Sequence, residues 1–182
     1  NIHLPLQSGS TKILKAMNRT YTKEEFLDLV KVIKEYLPNC SISTDIIVGF
    51  PGEDDFDFNE TLDVVKQVGF DFSYMFKYSS RPGTKASEYS DQVSEDIKQG
   101  RLERLINRQK EISLNVNRRY IGRELQVIVE KESKKSTSQW SGRTEGNTWV
   151  IFDKMNFKPK DLVTLRIDDA QGVTLFGTPI TS

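Results

Sequence analysis

"STDIIVGFPGEDD", residues 43–55, joins a β-branched apolar run to a Gly-Phe-Pro-Gly turn and then to acid. Ile46, Ile47 and Val48 read as a strand buried on both faces, the pattern of a parallel strand covered by helices. Asp45 is at odds with that reading, because a carboxylate in such a strand costs free energy unless something satisfies it. A ribose diol, an ammonium group, or a neighbouring Lys or Arg would each do so.

Working outward, two more short apolar runs, Ile2 to Leu6 and Phe70 to Tyr78, flank this one, and helical patterns separate all three. Thr22-Lys23-Glu24-Glu25 is a capping box. Phe26, Leu29, Val30, Ile33 and Leu37 then recur at helical spacing until Pro38 ends the run. A second helix is expected from Phe58, Leu62, Val65 and Val68, with an acidic first turn and a stop at Gly69. Strands alternating with helices imply parallel pairing through right-handed crossovers. Three strands are too few to close a barrel, so the pattern fits either a small open sheet or part of a larger (β/α) barrel.

A third helix is expected from about Ser94 to Arg119, long enough to connect two domains. After Gly122 the texture changes to five short strand-like runs: Leu125 to Glu130, Ser136 to Ser141, Asn147 to Phe152, Leu162 to Ile167 and Val173 to Gly177. Glu-Gly-Asn at 145–147 and Gln-Gly at 171–172 supply turns. This predicts a small all-β barrel of the oligonucleotide-binding kind. Its segment "KESKKSTSQWSGRTEGNTWVIF" mixes Lys131, Lys134, Lys135 and Arg143, suited to phosphates, with Trp140 and Trp149, either of which is a core residue or a stacking platform.

Bulk properties narrow the class. With 36% hydrophobic residues the chain can bury a core, and its 26 basic and 26 acidic residues cancel, so no global field points to nucleic acid or membrane. The distribution is uneven: 11 basic and 8 acidic residues from Val116 onward give net +3 there and net −3 before it. Cys40 is the only cysteine, which excludes an internal disulfide, fits a reducing compartment and reads as a small buried hydrophobe. No apolar run approaches the roughly 20 residues of a membrane span, and a cytoplasmic location is expected. The chain begins without Met, directly in a strand-like segment, as if trimmed from a longer protein.

Ligands of parallel sheets and (β/α) barrels sit at the C-terminal ends of the strands. Each of the three ends here carries a Gly-containing loop: "LQSGS" at 6–10, "VGFPGE" at 48–53 and "YSSRPGT" at 78–84. Parallel topology brings them to one rim, although any such loop also needs turn residues. His3, the only histidine, has no Cys or Asp cluster beside it in sequence, and there is no Walker loop or multi-Cys motif.

Taken together, "HLPLQSGS", "MNRTYT", "TDIIVGFPGE", "FSYMFKYSSRPGT" and "SGRTEGN" resemble, in order and spacing, the radical S-adenosylmethionine methylthiotransferases. The resemblance covers essentially the whole chain and is strongest to the branch that makes 2-methylthio-isopentenyladenosine in tRNA. It implies that residues 1–116 are the C-terminal half of the radical-SAM barrel with its connector helix, and that residues 117–182 are a TRAM domain, an RNA-binding β-barrel. It implies S-adenosylmethionine as cofactor, with Gln7 and Ser8 meeting it on the fourth barrel strand and Asp45 with the Gly49 to Glu53 turn flanking its ribose and adenine. Phe76 to Tyr78 would contact adenine, and Arg81 would face RNA or substrate. The tRNA-binding set is Lys134, Lys135, Arg143 and Trp149.

The family holds 4Fe-4S clusters, one of them on a Cys-x-x-x-Cys-x-x-Cys triad. A single cysteine cannot supply three thiolates, so this chain alone is expected to ligate no metal and to be inactive. The resemblance also implies a full-length monomer working on tRNA without a membrane, and it leaves the sulfur donor open. Two alternatives remain: a methylthiotransferase acting on threonylcarbamoyladenosine or a ribosomal protein, and a non-enzymatic RNA-binding module.

Overall fold

The computed structural model describes residues 1–180, and the chain divides into two compact units, with the division between Gln109 and Lys110. In the first unit three parallel strands, β1 (Ile2–His3), β2 (Ile42–Val48) and β3 (Phe72–Lys77), pair in the order β1-β2-β3. Helices α1 (Thr11–Ala16), α2 (Lys23–Tyr36) and α3 (Asp55–Val68) form the crossovers.

The expected helix boundaries hold for physical reasons. The Thr22 side chain accepts from the Glu25 amide while Glu25 accepts from the Thr22 amide, and Asp54 with Asp57 repeats the device at the start of α3. Gly69 ends α3 in the left-handed conformation. The core of the unit lies between the sheet and its helices: Leu6, Ile13, Leu14, Phe26, Ile42, Ile46, Phe58, Val65 and Phe70 are all buried. A buried amide ties in the long helix α4 (Glu95–Arg118), as Gln109 accepts from the Ser73 hydroxyl at 2.8 Å and donates to the Phe70 carbonyl at 2.8 Å.

β2 departs from the expectation of burial on both faces. Ile42, Thr44, Ile46 and Val48 are buried, whereas Ser43, Asp45 and Ile47 are only half-buried. The helices cover one face of the sheet, and the other is the open side on which Phe72, Tyr74 and Phe76 of β3 are exposed. Asp45 points to this open side, where partial hydration removes most of the cost that burial would impose.

The second unit is a closed five-stranded barrel of β4 (Glu124–Ser133), β5 (Ser136–Thr144), β6 (Trp149–Asp153), β7 (Leu162–Gln171) and β8 (Thr174–Pro179), in the order β4-β5-β6-β8-β7. All five expected strands are present, each longer or shifted by a few residues. Alternation sends Val127, Val129, Val150, Phe152, Val163, Leu165, Ile167 and Leu175 inward. Gly142 is required where β5 crosses β4, since a Cβ there would lie 2.4 Å from the Ile128 carbonyl oxygen.

Candidate functional site

The C-terminal ends of the three strands converge on a cleft of about 970 Å³. Gln7, Ile47, Phe50, Phe76 and Tyr78 line it from the strand ends, Lys15 and Arg19 from the end of α1, and Arg81, Lys85 and Tyr89 from the segment after β3. Gln7 is stitched into the sheet by donating its amide to Asp45 and accepting from the Ile47 amide, and it holds a left-handed backbone with φ of 67°. A buried non-glycine residue in that conformation is held there by its surroundings at a cost of order 1–3 kcal/mol, a feature common at ligand sites.

Of the cofactor residues expected from the sequence, Gln7, Phe76 and Tyr78 line the cleft, and half of the Phe76 ring is exposed. Ser8, Asp45 and Gly49 are not in its lining. The Ser8 hydroxyl is buried and accepts from the Ser10 amide. The Asp45 carboxylate is paired with His3, Nε2 to Oδ2 at 3.3 Å, and the other His3 ring nitrogen is 3.0 Å from the Ser43 hydroxyl. The partner sought for Asp45 is therefore neither Lys nor Arg but the only histidine, brought alongside by parallel pairing of Ile2 with Ile42.

Gly49 acts from behind the cleft. Its amide donates to Glu53 at 2.8 Å, its φ is 72°, and a Cβ would lie 2.3 Å from Cγ of Lys98. Glu53, the last residue of the turn expected to flank the nucleoside, is the buried post of this turn and also accepts from Arg101 at 2.9 Å. Burial pushes its carboxyl up to about 7, against the opposing pull of the Gly49 amide and the Arg101 guanidinium. Sequence reasoning missed Ile47, Tyr89 and the whole Lys15 to Arg19 stretch as lining residues, the last positioned by the short helix α1, whereas Phe50 lies in the Gly49 to Glu53 turn that the resemblance placed at the site.

The barrel unit carries its own cleft of about 370 Å³, lined by Lys131, Lys134, Lys135, Trp149, Ile151 and Phe176 among others. Three residues of the expected RNA-binding set, Lys134, Lys135 and Trp149, are in that lining, and the guanidinium of the fourth, Arg143, lies 4.2 Å from the Trp149 ring centroid. Trp140 is resolved as a packing residue: it is half-buried against the barrel core and its indole N–H donates to the Phe157 carbonyl. Cys40 is half-buried and free, rather than fully buried. Among the described residues, no group of three or more His, Cys, Asp or Glu is arranged to hold a metal ion, and no helix is long and apolar enough to cross a membrane.

Two family models match the chain, Radical SAM superfamily over residues 1–65 and TRAM domain over residues 118–180. The chain thus carries a radical SAM-like stretch followed by a TRAM-like one, the order that the motif resemblance anticipated. It is 46% identical, over 98% of its length, to proteins from Christiangramia forsetii and Parabacteroides distasonis, each named tRNA-2-methylthio-N(6)-dimethylallyladenosine synthase. A protein of the same name from Bacteroides fragilis is 46% identical over 100% of the chain. The chain spans only 37% to 40% of the length of these relatives. Among solved structures, Escherichia coli coproporphyrinogen III oxidase, a radical SAM enzyme, matches with a TM-score of 0.52 over 78% of this chain and 40% of its own, at 17% identity, which is a likeness of fold.

Proposed function

We propose that this chain is the C-terminal part of a cytoplasmic tRNA methylthiotransferase that modifies isopentenyladenosine beside the anticodon, acting as a monomer. The observation that carries this reading is the similarity along the whole chain, through both units in order, to synthases bearing that name.

The residues present fit one of the groups such an enzyme needs and not the other. One cysteine does not fit a cluster held by three thiolates, so no step is derived through iron and sulfur, and the chain alone is expected to be inactive. The strand-end cleft does fit the nucleoside end of S-adenosylmethionine. Ile47 and Phe76 offer apolar surface for adenine and Gln7 an amide for ribose hydroxyls. When bound and reductively cleaved, that cofactor supplies a radical able to abstract hydrogen. This chain's own contribution is to orient the nucleoside, with Tyr78 beside the Phe50 ring at 5.1 Å and Glu53 with Arg101 bracing the turn behind Gly49.

The barrel cleft supports RNA recruitment. Lys134 and Lys135 would neutralise phosphates, and Trp149, with Arg143 over its ring, offers a stacking surface worth ~1–3 kcal/mol per base.

The test is nucleoside mass spectrometry of tRNA from cells lacking the gene. Loss of 2-methylthio-isopentenyladenosine with accumulation of isopentenyladenosine is expected. A normal level of the methylthio nucleoside would overturn the reading, and loss of methylthio-threonylcarbamoyladenosine instead would move it to the sister reaction.

A further inference from the structure

Behind the strand-end cleft lies a buried cation that the cofactor site has not so far used. Lys98, near the start of α4, has a side chain only 7% exposed, yet it is not in the cleft lining. An ammonium at such a position costs free energy that a Leu or Met of similar size would not. Among the described residues it makes one hydrogen bond, to Glu95 at 2.8 Å, and that carboxylate is 69% exposed and also pairs with Lys77 at 3.4 Å. The charge is therefore not there to neutralise a buried acid. Two contacts point to the site instead. The Lys98 stem packs against Gly49, where a Cβ would come within 2.3 Å of its Cγ, and its Nζ lies 5.5 Å from the Tyr78 ring centroid. Tyr78 adjoins the same turn, since its amide donates to the Val48 carbonyl at 2.8 Å. The Tyr78 hydroxyl is buried and has no hydrogen-bond partner among the described residues. No hydrogen bond from that hydroxyl fixes the ring, so its orientation rests on packing, chiefly the Phe50 ring with centroids 5.1 Å apart, and on the Lys98 ammonium.

We infer that Lys98 is a positioning residue of the nucleoside site: its stem sets the Gly49 turn, and its ammonium, held by Glu95, orients the Tyr78 ring that the cofactor meets. The inference rests on the nucleoside reading above and deepens it, because it adds a residue of α4 that touches no ligand and acts through one that does.

The test is isothermal titration calorimetry of the whole chain with S-adenosylmethionine, for the parent, Lys98→Met, Lys98→Arg, Tyr78→Leu and the Lys98→Met/Tyr78→Leu double variant. Lys98→Met keeps the stem and removes the charge, and Glu95 keeps Lys77, so the melting temperature is expected to be unchanged or higher. Affinity is expected to fall about fivefold in Lys98→Met and to be largely restored in Lys98→Arg. The double variant should bind within about twofold of Tyr78→Leu alone, because the charge acts through that ring. Parental affinity in Lys98→Met, or losses that add in the double variant, would overturn the inference and leave the nucleoside site standing. A joint fall in melting and affinity that Lys98→Arg does not restore would make Lys98 a structural residue only and overturn it too. A second readout needs no ligand: the Tyr78 ring proton shifts should move in Lys98→Met while the Gly49 amide shift stays, and unmoved ring signals would overturn the inference. A parent chain that binds no S-adenosylmethionine would instead overturn the nucleoside reading on which it rests.

Discussion

The two units use their large apolar residues in opposite ways. In the barrel, Phe152, Leu165, Ile167 and Leu175 point inward and are almost fully buried, so closure of the sheet consumes the apolar face. In the sheet unit, only the helix side is consumed. Phe72, Tyr74 and Phe76 stand 40% to 52% exposed on the other face, Phe72 and Tyr74 packed edge to face at 4.9 Å. An exposed aromatic stripe on one face of a parallel sheet marks a surface built to meet something. Under the proposed function that face is the interior of the radical-SAM barrel, and its upper end is the cofactor cleft.

The comparison is broken most directly by truncating one phenylalanine in each unit. Phe152→Ala should destabilise the barrel by about 3–5 kcal/mol, whereas Phe72→Ala should cost within about 1 kcal/mol, as read from urea unfolding of the whole chain. Equal losses would mean that the open face carries as much packing as the barrel core.

A smaller effect comes from Glu53. Its carboxyl is raised from 4.5 to about 7 by burial, so the folded state keeps a proton that the unfolded state has released. The stabilising contribution is complete below pH 4.5 and is lost as pH rises towards 7, on the order of 3 kcal/mol in all. Glu53→Gln cannot release a proton, so it should flatten the dependence of the urea midpoint between pH 5 and pH 8 relative to the parent. A parallel dependence in both proteins would show that Glu53 titrates normally.

The smallest effect sharpens the comparison at the periphery. Thr22→Ala removes the acceptor for the Glu25 amide and should cost the sheet unit about 1 kcal/mol without altering the barrel. Hydrogen exchange should show the loss in α2 amides alone.

Features set by neighbours in sequence were legible from the sequence. Thr22 with Glu25, and Gly69 after Val68, mark helix ends because the capping atoms lie within one turn of each other. The barrel strands were legible because short strand-like runs are punctuated by turn residues such as those at 145–147 and 171–172. Helix α1 was missed: it has only six residues and its N-cap Ser10 makes no side-chain capping bond, so neither periodicity nor a cap announces it. That omission also hid Lys15 and Arg19. The partners of Asp45 and Glu53 were out of reach for another reason. His3 lies 42 positions from Asp45 and Arg101 lies 48 from Glu53, and only the strand register and the packing of α4 bring them together. The expected cofactor roles of Gln7, Phe76 and Tyr78 rested on motif resemblance, and the cleft gives them a common surface.

Central to the proposed function is that the strand ends form the nucleoside site and the barrel does not. Amide chemical-shift mapping of the whole chain titrated with S-adenosylmethionine tests this most directly. Shifts are predicted at Gln7, Ile47, Gly49 and Phe76 to Tyr78, with the amides of β4 to β8 unmoved. Shifts confined to the barrel, or none at the strand ends at saturating cofactor, would contradict it.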